Sequence, residues 1–294
     1  MSRKSLLPVI IAIIIIVLEG LPQAPVAATP SFDLHAYPII PLVRGAVYSH
    51  VRYVARKGIR RGNRTHVFSK IGDSITAFNY FLTPIGSGAA QLGSYGDLQK
   101  VIVTFSQDPV RTGNSFVNQS LAAHGAWTSG DLLDPNHADH ATCAAGETPL
   151  NCELRIAKPG VALIMIGTND LVFGDVAAFK NNLNQIVTVV ELNSVVPVVS
   201  TIPYRRDNPA LQDRVAAYNE AIVQVALAHN IPLWNYWLAC EGLPSNGVSN
   251  DGIHPSLPPD SNTAIFDDVH LRFGFTIRNL TALQVLQRLM PALQ

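Results

Sequence analysis

Residues 161–170 read Val161-Ala162-Leu163-Ile164-Met165-Ile166-Gly167-Thr168-Asn169-Asp170. Six apolar residues run without a break and stop at a glycine and three polar residues. A continuous apolar run of this length fits a parallel strand buried on both faces. Outward from it, Val176–Leu192 carries Phe179, Leu183, Ile186 and Val190 on one helical stripe. Val195–Ile202 predicts the next strand, bounded by Pro203. Asp213–His229 predicts a second helix, with Val215, Tyr218, Ile222 and Val225 apolar, and Ile231–Tyr236 a further strand. Arg272–Leu289 predicts a last helix, with Leu280, Leu283, Leu286 and Leu289 on its stripe. In the other direction, His66–Ile71 predicts a strand ending at Gly72, and Ser115–Leu121 a weaker one. Strands alternating with helices imply βαβ units and a parallel sheet between helical layers, the α/β class. Residues 66–294 then form one domain, with a glycine-bearing stretch at about 80–114.

The chain has 294 residues, 48% hydrophobic and 14% charged, with a formal net charge of zero. That apolar content supports a sizeable core and excludes a wholly disordered chain. A balanced charge argues against a nucleic-acid partner. Residues 1–28 form an expected export signal: Arg3 and Lys4, then 13 apolar residues from Leu6 to Leu18, then Val26-Ala27-Ala28 before the cleavage point. An uncleaved membrane anchor is the alternative. Residues 29–65 carry Arg44, Arg52, Arg56, Lys57, Arg60, Arg61 and Arg64. Val47, Val51 and Val54 recur there at helical spacing. The basic face is read either as resting on an anionic membrane or cell wall, or as the solvated side of a docked helix. Export places the cysteines in an oxidising compartment, and the Cys143 and Cys152 spacing suits a disulfide around a small surface loop. Cys240 is expected buried and inert; three free thiols is the alternative if there is no export.

Four polar motifs fall where strand patterns stop, the place where open α/β sheets carry their sites. Lys70-Ile71-Gly72-Asp73-Ser74-Ile75-Thr76 puts a serine at a tight turn opening a helix, whose unpaired N–H groups favour negative charge. Taken alone, Ser74 reads more simply as a capping residue. Gly167-Thr168-Asn169-Asp170 offers the Asn169 amide as a donor. His124-Gly125-Ala126-Trp127 offers the Gly125 N–H with no side chain in the way. Asn250-Asp251-Gly252-Ile253-His254-Pro255 spaces a carboxylate three residues before an imidazole. Asp251 can hold Nδ1–H so that Nε2 accepts a proton from a hydroxyl.

In this order the four motifs resemble those of the SGNH hydrolases, also called the GDSL esterase/lipase family, over roughly residues 66–290. The resemblance implies a flavodoxin-like three-layer α/β/α sandwich with a mainly parallel sheet. It implies Ser74 as nucleophile, His254 as general base and acid, and Asp251 as its orienter. It implies an oxyanion hole from the Ser74 N–H, the Gly125 N–H and the Asn169 side chain, with no cofactor and no metal. The expected function is an exported serine esterase or acylhydrolase working through an acyl-enzyme on small-molecule, lipid or polysaccharide esters. The alternatives are a carbohydrate O-acetyl esterase acting on cell-wall or plant polysaccharide, and a secreted binding protein on the same fold without turnover.

Other features read more simply. Gly86-Ser87-Gly88 lacks the third glycine of a dinucleotide loop. His137-Ala138-Asp139-His140, with Asp134 and Cys143 nearby, holds metal-ligand residue types but reads as a polar loop. Trp234, Tyr236 and Trp237 read as packing at the sheet end. Tyr204-Arg205-Arg206 is read either as a contact to substrate charge or as a surface ion pair.

Overall fold

The computed structural model describes residues 32–294. The expected signal at 1–28, with residues 29–31, lies outside the described residues. In chain order the elements are α1 (Gly45–Arg60), β1 (Arg64–Gly72), α2 (Ser74–Ala77), α3 (Thr83–Gly86), α4 (Gln99–Ser106), α5 (Pro149–Ala157) and β2 (Pro159–Met165). They continue with α6 (Asp170–Phe173), α7 (Val176–Leu192), β3 (Val196–Ser200), α8 (Pro209–His229), β4 (Leu233–Trp234), α9 (Tyr236–Cys240) and α10 (Gly274–Leu289). Residues 33–294 make one compact unit. Among the described residues no helix is long and apolar enough to cross a membrane.

The four strands pair in parallel in the order β1-β2-β3-β4. On its free side β1 gains a short fifth partner. The Gly72 N–H donates to Ala122 O (3.0 Å), and the His124 N–H donates to Gly72 O (3.2 Å). Counting that stretch as a strand, the spatial order is 2-1-3-4-5, the flavodoxin-like order, with its switch point between β1 and β2. The weaker strand expected at 115–121 is not formed. There the Asn114 side chain accepts from the Phe116 and Val117 N–H groups, and Asn118 Oδ1 accepts from the Thr112 N–H, so local turns take the backbone. Pairing begins only at Ala122.

Alternation along β1 sorts the helices onto two faces. Phe68 packs edge-on against Phe105 of α4, while Ser69 on the opposite face donates to Glu153 of α5 at 2.6 Å. α4 is joined on its face by α10 and then α1; α5 is joined on the other by α7, which packs on α8. The sandwich therefore has three layers. Val161 to Ile166 are all at most 2% exposed, as a strand covered on both faces requires. Leu98, Val101, Ile102 and Phe105 are buried too, so the 80–114 stretch supplies part of the core layer under β1. Val51 and Val54 of the basic segment are buried, and α1 lies against β1, β2 and β3.

Local signals set the boundaries. Asp175 caps α7 by accepting from the Ala177 and Ala178 N–H groups. α8 starts four residues earlier than expected because Asn208 caps it and Pro209 takes its first turn. β4 is shorter than expected because Asn235 caps α9 immediately after it. Cys143 and Cys152 form a disulfide, and Cys240 is buried, with desolvation pushing its thiol up to about 12. Closing a loop of this length contributes roughly 2–3 kcal/mol in the chain-entropy picture. Replacing both Cys143 and Cys152 by Ser is expected to lower the thermal midpoint by several degrees with the far-UV spectrum unchanged; an unaltered midpoint would contradict it.

Candidate active site

β1 ends at Gly72, where a side chain has no room: a Cβ there would sit 2.0 Å from Met165 O and 2.6 Å from Thr76 Oγ1. The tight exit carries the chain straight into α2. Asp73 caps that helix, its Oδ1 accepting from the Ile75 N–H at 3.0 Å, and Ser74 is the first helical residue. The Ser74 N–H therefore precedes the helix's own bonding ladder.

Residues 248–255 form a closed loop, with Val248 bridged antiparallel to Pro255 and the Ser249 N–H donating to His254 O at 2.8 Å. Gly252 stands at φ +74°, and its Cβ would lie 2.3 Å from the Asp207 nitrogen, so only glycine fits. The loop projects Asp251 and His254 together. Asp251 Oδ2 is 2.6 Å from His254 Nδ1, and His254 Nε2 is 2.9 Å from Ser74 Oγ. A carboxylate only accepts, so Nδ1 carries the proton and Nε2 is left to accept from the serine hydroxyl. Burial works against charge on Asp251. Hydrogen bonds from the Ser249 hydroxyl, the His254 ring and the Ile253 and His254 N–H groups outweigh it and hold the carboxyl well below its usual range.

Asn169 and Gly125 reach the same strand ends. Met165 pairs with Gly72, and Asn169 follows four residues later; Ala123 bridges Gly72, and Gly125 follows two residues later. Asn169 Nδ2 donates to Trp127 O at 2.9 Å, which fixes the amide and leaves its second N–H unspent by that bond. Around Gly125 an added Cβ would meet nothing within 4 Å. Open space on its side-chain face, rather than protein crowding, surrounds this glycine.

Several residues important to the geometry were not assigned by sequence reasoning. Buried Asp170 accepts from the Ser129 N–H and hydroxyl and so ties the 125–129 loop to the end of β2. Burial raises its pKa. Arg205, read from the sequence as a contact to substrate charge or as a surface ion pair, does form an ion pair, with Asp207, but is itself buried. It bonds Thr168 O at 2.8 Å and both carboxylate oxygens of Asp207, while the Arg206 and Asp207 N–H groups donate to Gly252 O. One cation thus braces the Asn169 turn to the histidine loop. Arg278 of α10 lies fully inside, its guanidinium 3.7 Å over the Phe81 ring, and donates to Ile75 O and Thr76 Oγ1 at the end of α2. Phe78 leans on the imidazole, ring centroids 4.9 Å apart. In the His137 loop, His137 pairs with Asp131, and Cys143 is in its disulfide. Trp234 and Tyr236 are buried and Trp237 stacks on Tyr204, in keeping with packing at the sheet end.

The profile of the GDSL-like Lipase/Acylhydrolase family matches residues 71–257, the stretch that holds all of these residues except Arg278. The chain belongs to this family. Among curated proteins none matches it in sequence. Solved structures similar to it include a lipase/acylhydrolase from Enterococcus faecalis, at 22% identity, covering 76% of this chain and 95% of that one with a TM-score of 0.49. A psychrotrophic esterase from Pseudoalteromonas sp. has 17% identity, coverage of 77% and 99%, and a TM-score of 0.48. An acetyl xylan esterase from Geobacillus stearothermophilus has 17% identity, coverage of 74% and 93%, and a TM-score of 0.48.

Asp73 gives this family member a testable pH signature. Its carboxyl is fully buried, and Oδ2 has no hydrogen-bond partner among the described residues. Desolvation raises its pKa from 3.8 to about 6, against the Ile75 hydrogen bond and the nearby Arg278 charge. The folded state therefore holds this proton more tightly than the unfolded chain. The associated stability is complete below the unfolded value and is lost as pH rises through about 6. The loss at neutral pH is roughly 3 kcal/mol. Asp73→Asn keeps the cap and removes the charge. Its unfolding midpoint relative to wild type is expected to rise steadily between pH 4 and 7; a difference independent of pH would refute the assignment.

Proposed function

We propose that this chain is an exported serine esterase in which Ser74, His254 and Asp251 act as one catalytic unit. The observation that carries the proposal is the unbroken hydrogen-bonded chain from the Ser74 hydroxyl through the His254 ring to the Asp251 carboxylate. Serine is a poor nucleophile until a positioned base removes its proton. Here His254 Nε2 takes that proton as Oγ attacks the ester carbonyl, and the fixed carboxylate of Asp251 stabilises the imidazolium that results. The Ser74 N–H, the Gly125 N–H and the Asn169 amide receive the oxyanion. His254 then returns the proton to the leaving alcohol. Water, activated by the same ring, hydrolyses the acyl-enzyme. Family membership supports hydrolysis, and the complete relay speaks against a binding protein that has lost turnover. The Cys143–Cys152 disulfide supports an oxidising compartment, in keeping with the expected signal.

With 4-nitrophenyl acetate, Ser74→Ala is expected to lower kcat by on the order of 10⁴-fold or more, with the unfolding midpoint preserved. Asn169→Ala is expected to cost about 10²–10³-fold in kcat with KM little changed, as the loss of one oxyanion donor does. Undiminished hydrolysis by Ser74→Ala would eliminate the mechanism. Rates on the acetate, the octanoate and acetylated xylan separate a general esterase from a polysaccharide deacetylase.

A further inference from the structure

Beside α2 lies a cavity of about 270 Å³ whose lining is polar and cationic. Lys70 and Arg111 contribute the charge; Asn79, Asn118, Gln119 and Ser120 contribute amides and a hydroxyl. No acidic residue is among those lining it. Thr76 and Ala77, from the helix that begins at Ser74, form one wall, and Ala123, the bridge partner of Gly72, forms another. Ser74 itself does not line the cavity, but the residues two and three positions after it in the same helix do.

Lys70 is the unusual member. It is only 6% exposed, and its Nζ donates to Phe116 O at 2.8 Å, leaving two donors without a carbonyl or carboxylate partner among the described residues. Glu153, whose charge acts on Lys70, forms no ion pair with it among the described residues; that carboxylate is occupied by the Ser69 hydroxyl (2.6 Å) and the Leu121 N–H (2.9 Å). Burial raises the pKa of Glu153, and the Glu153 charge acts to raise that of Lys70. Desolvation lowers Lys70 to about 8, so the ammonium still holds its proton at neutral pH. A buried cation facing a cavity is costly unless an anion joins it. Arg111, anchored by donating to Gln119 O, adds a planar donor set suited to a carboxylate.

We propose that this cavity is a subsite for an acidic group carried by the ester substrate, a carboxylate held by Lys70 and Arg111. The inference rests on the hydrolase reading above and narrows it to esters of acidic compounds.

Two measurements on the full chain test it. The first compares kcat/KM for 4-nitrophenyl hemisuccinate with that for its methyl-capped neutral counterpart, which shares the leaving group. The second titrates succinate and inorganic phosphate into the protein by calorimetry. Wild type should favour the charged ester and bind succinate. Arg111→Gln, at an exposed position, and Lys70→Met should each lower the charged-to-neutral ratio by about tenfold through KM and weaken succinate binding in parallel. If Lys70→Met does not fold, Arg111→Gln alone decides. Absence of succinate binding, or binding equal in wild type and Arg111→Gln, overturns the subsite. Binding that weakens while the ester ratio stays constant, or phosphate binding alone, overturns the assignment to substrate. Failure to hydrolyse either ester would instead remove the hydrolase reading, and the succinate titration would still judge the cavity.

Discussion

Gly72 is clamped between two backbones, and the candidate site depends on that clamp. One neighbour is the end of β2 at Met165; the other is the short stretch at Ala122–His124. The first approaches so closely that a methyl group on Gly72 would collide with Met165 O. Connections leave the sheet in opposite directions at this switch point, so a crevice opens there by topology alone. Three loops consequently meet at one place: the Ser74 turn, the Gly125 loop and the Asn169 turn. The fourth, carrying Asp251 and His254, is brought in over the top by contacts from the 205–207 segment.

Buried charges hold those loops in register. Arg205 joins the Asn169 turn to the histidine loop, Asp170 joins it to the Gly125 loop, and Arg278 secures the far end of the serine helix. Each is almost fully removed from water. A hydrogen bond formed in such surroundings is stiff, and an unmet one is costly. The arrangement trades stability for fixed geometry, most visibly at Asp73, where one carboxylate oxygen lies buried beside Ser74 with no hydrogen-bond partner among the described residues. Around these groups the sheet core is apolar and closely packed, so the loops rest on a scaffold that does not yield.

Much of this was legible in the sequence because it is local. The unbroken run from Val161 to Ile166 and the stripe of Phe179, Leu183, Ile186 and Val190 report burial directly. The spacing of Asp251 and His254 needs only one loop to bring them together. Other elements were hidden for physical reasons. α4 is eight residues long, too short for a clear period, and α5 places Glu153 on its buried face, which breaks the apolar stripe. The partner strand at Ala122 is too short to show a pattern. Arg205 has the same composition around it as a surface arginine. Only the fold turns it inward, so its role as a brace could not be read from its neighbours in the chain. The same holds for Arg278, which acts on residues some two hundred positions away.

The proposed chemistry requires His254 to activate Ser74 for covalent attack. Labelling with a fluorophosphonate probe, followed by mapping of the modified peptide, tests this most directly. One adduct, on Ser74, strongly slowed by His254→Ala, is the predicted result. Modification at another residue, or labelling of Ser74 at an unchanged rate in the His254 variant, would contradict it.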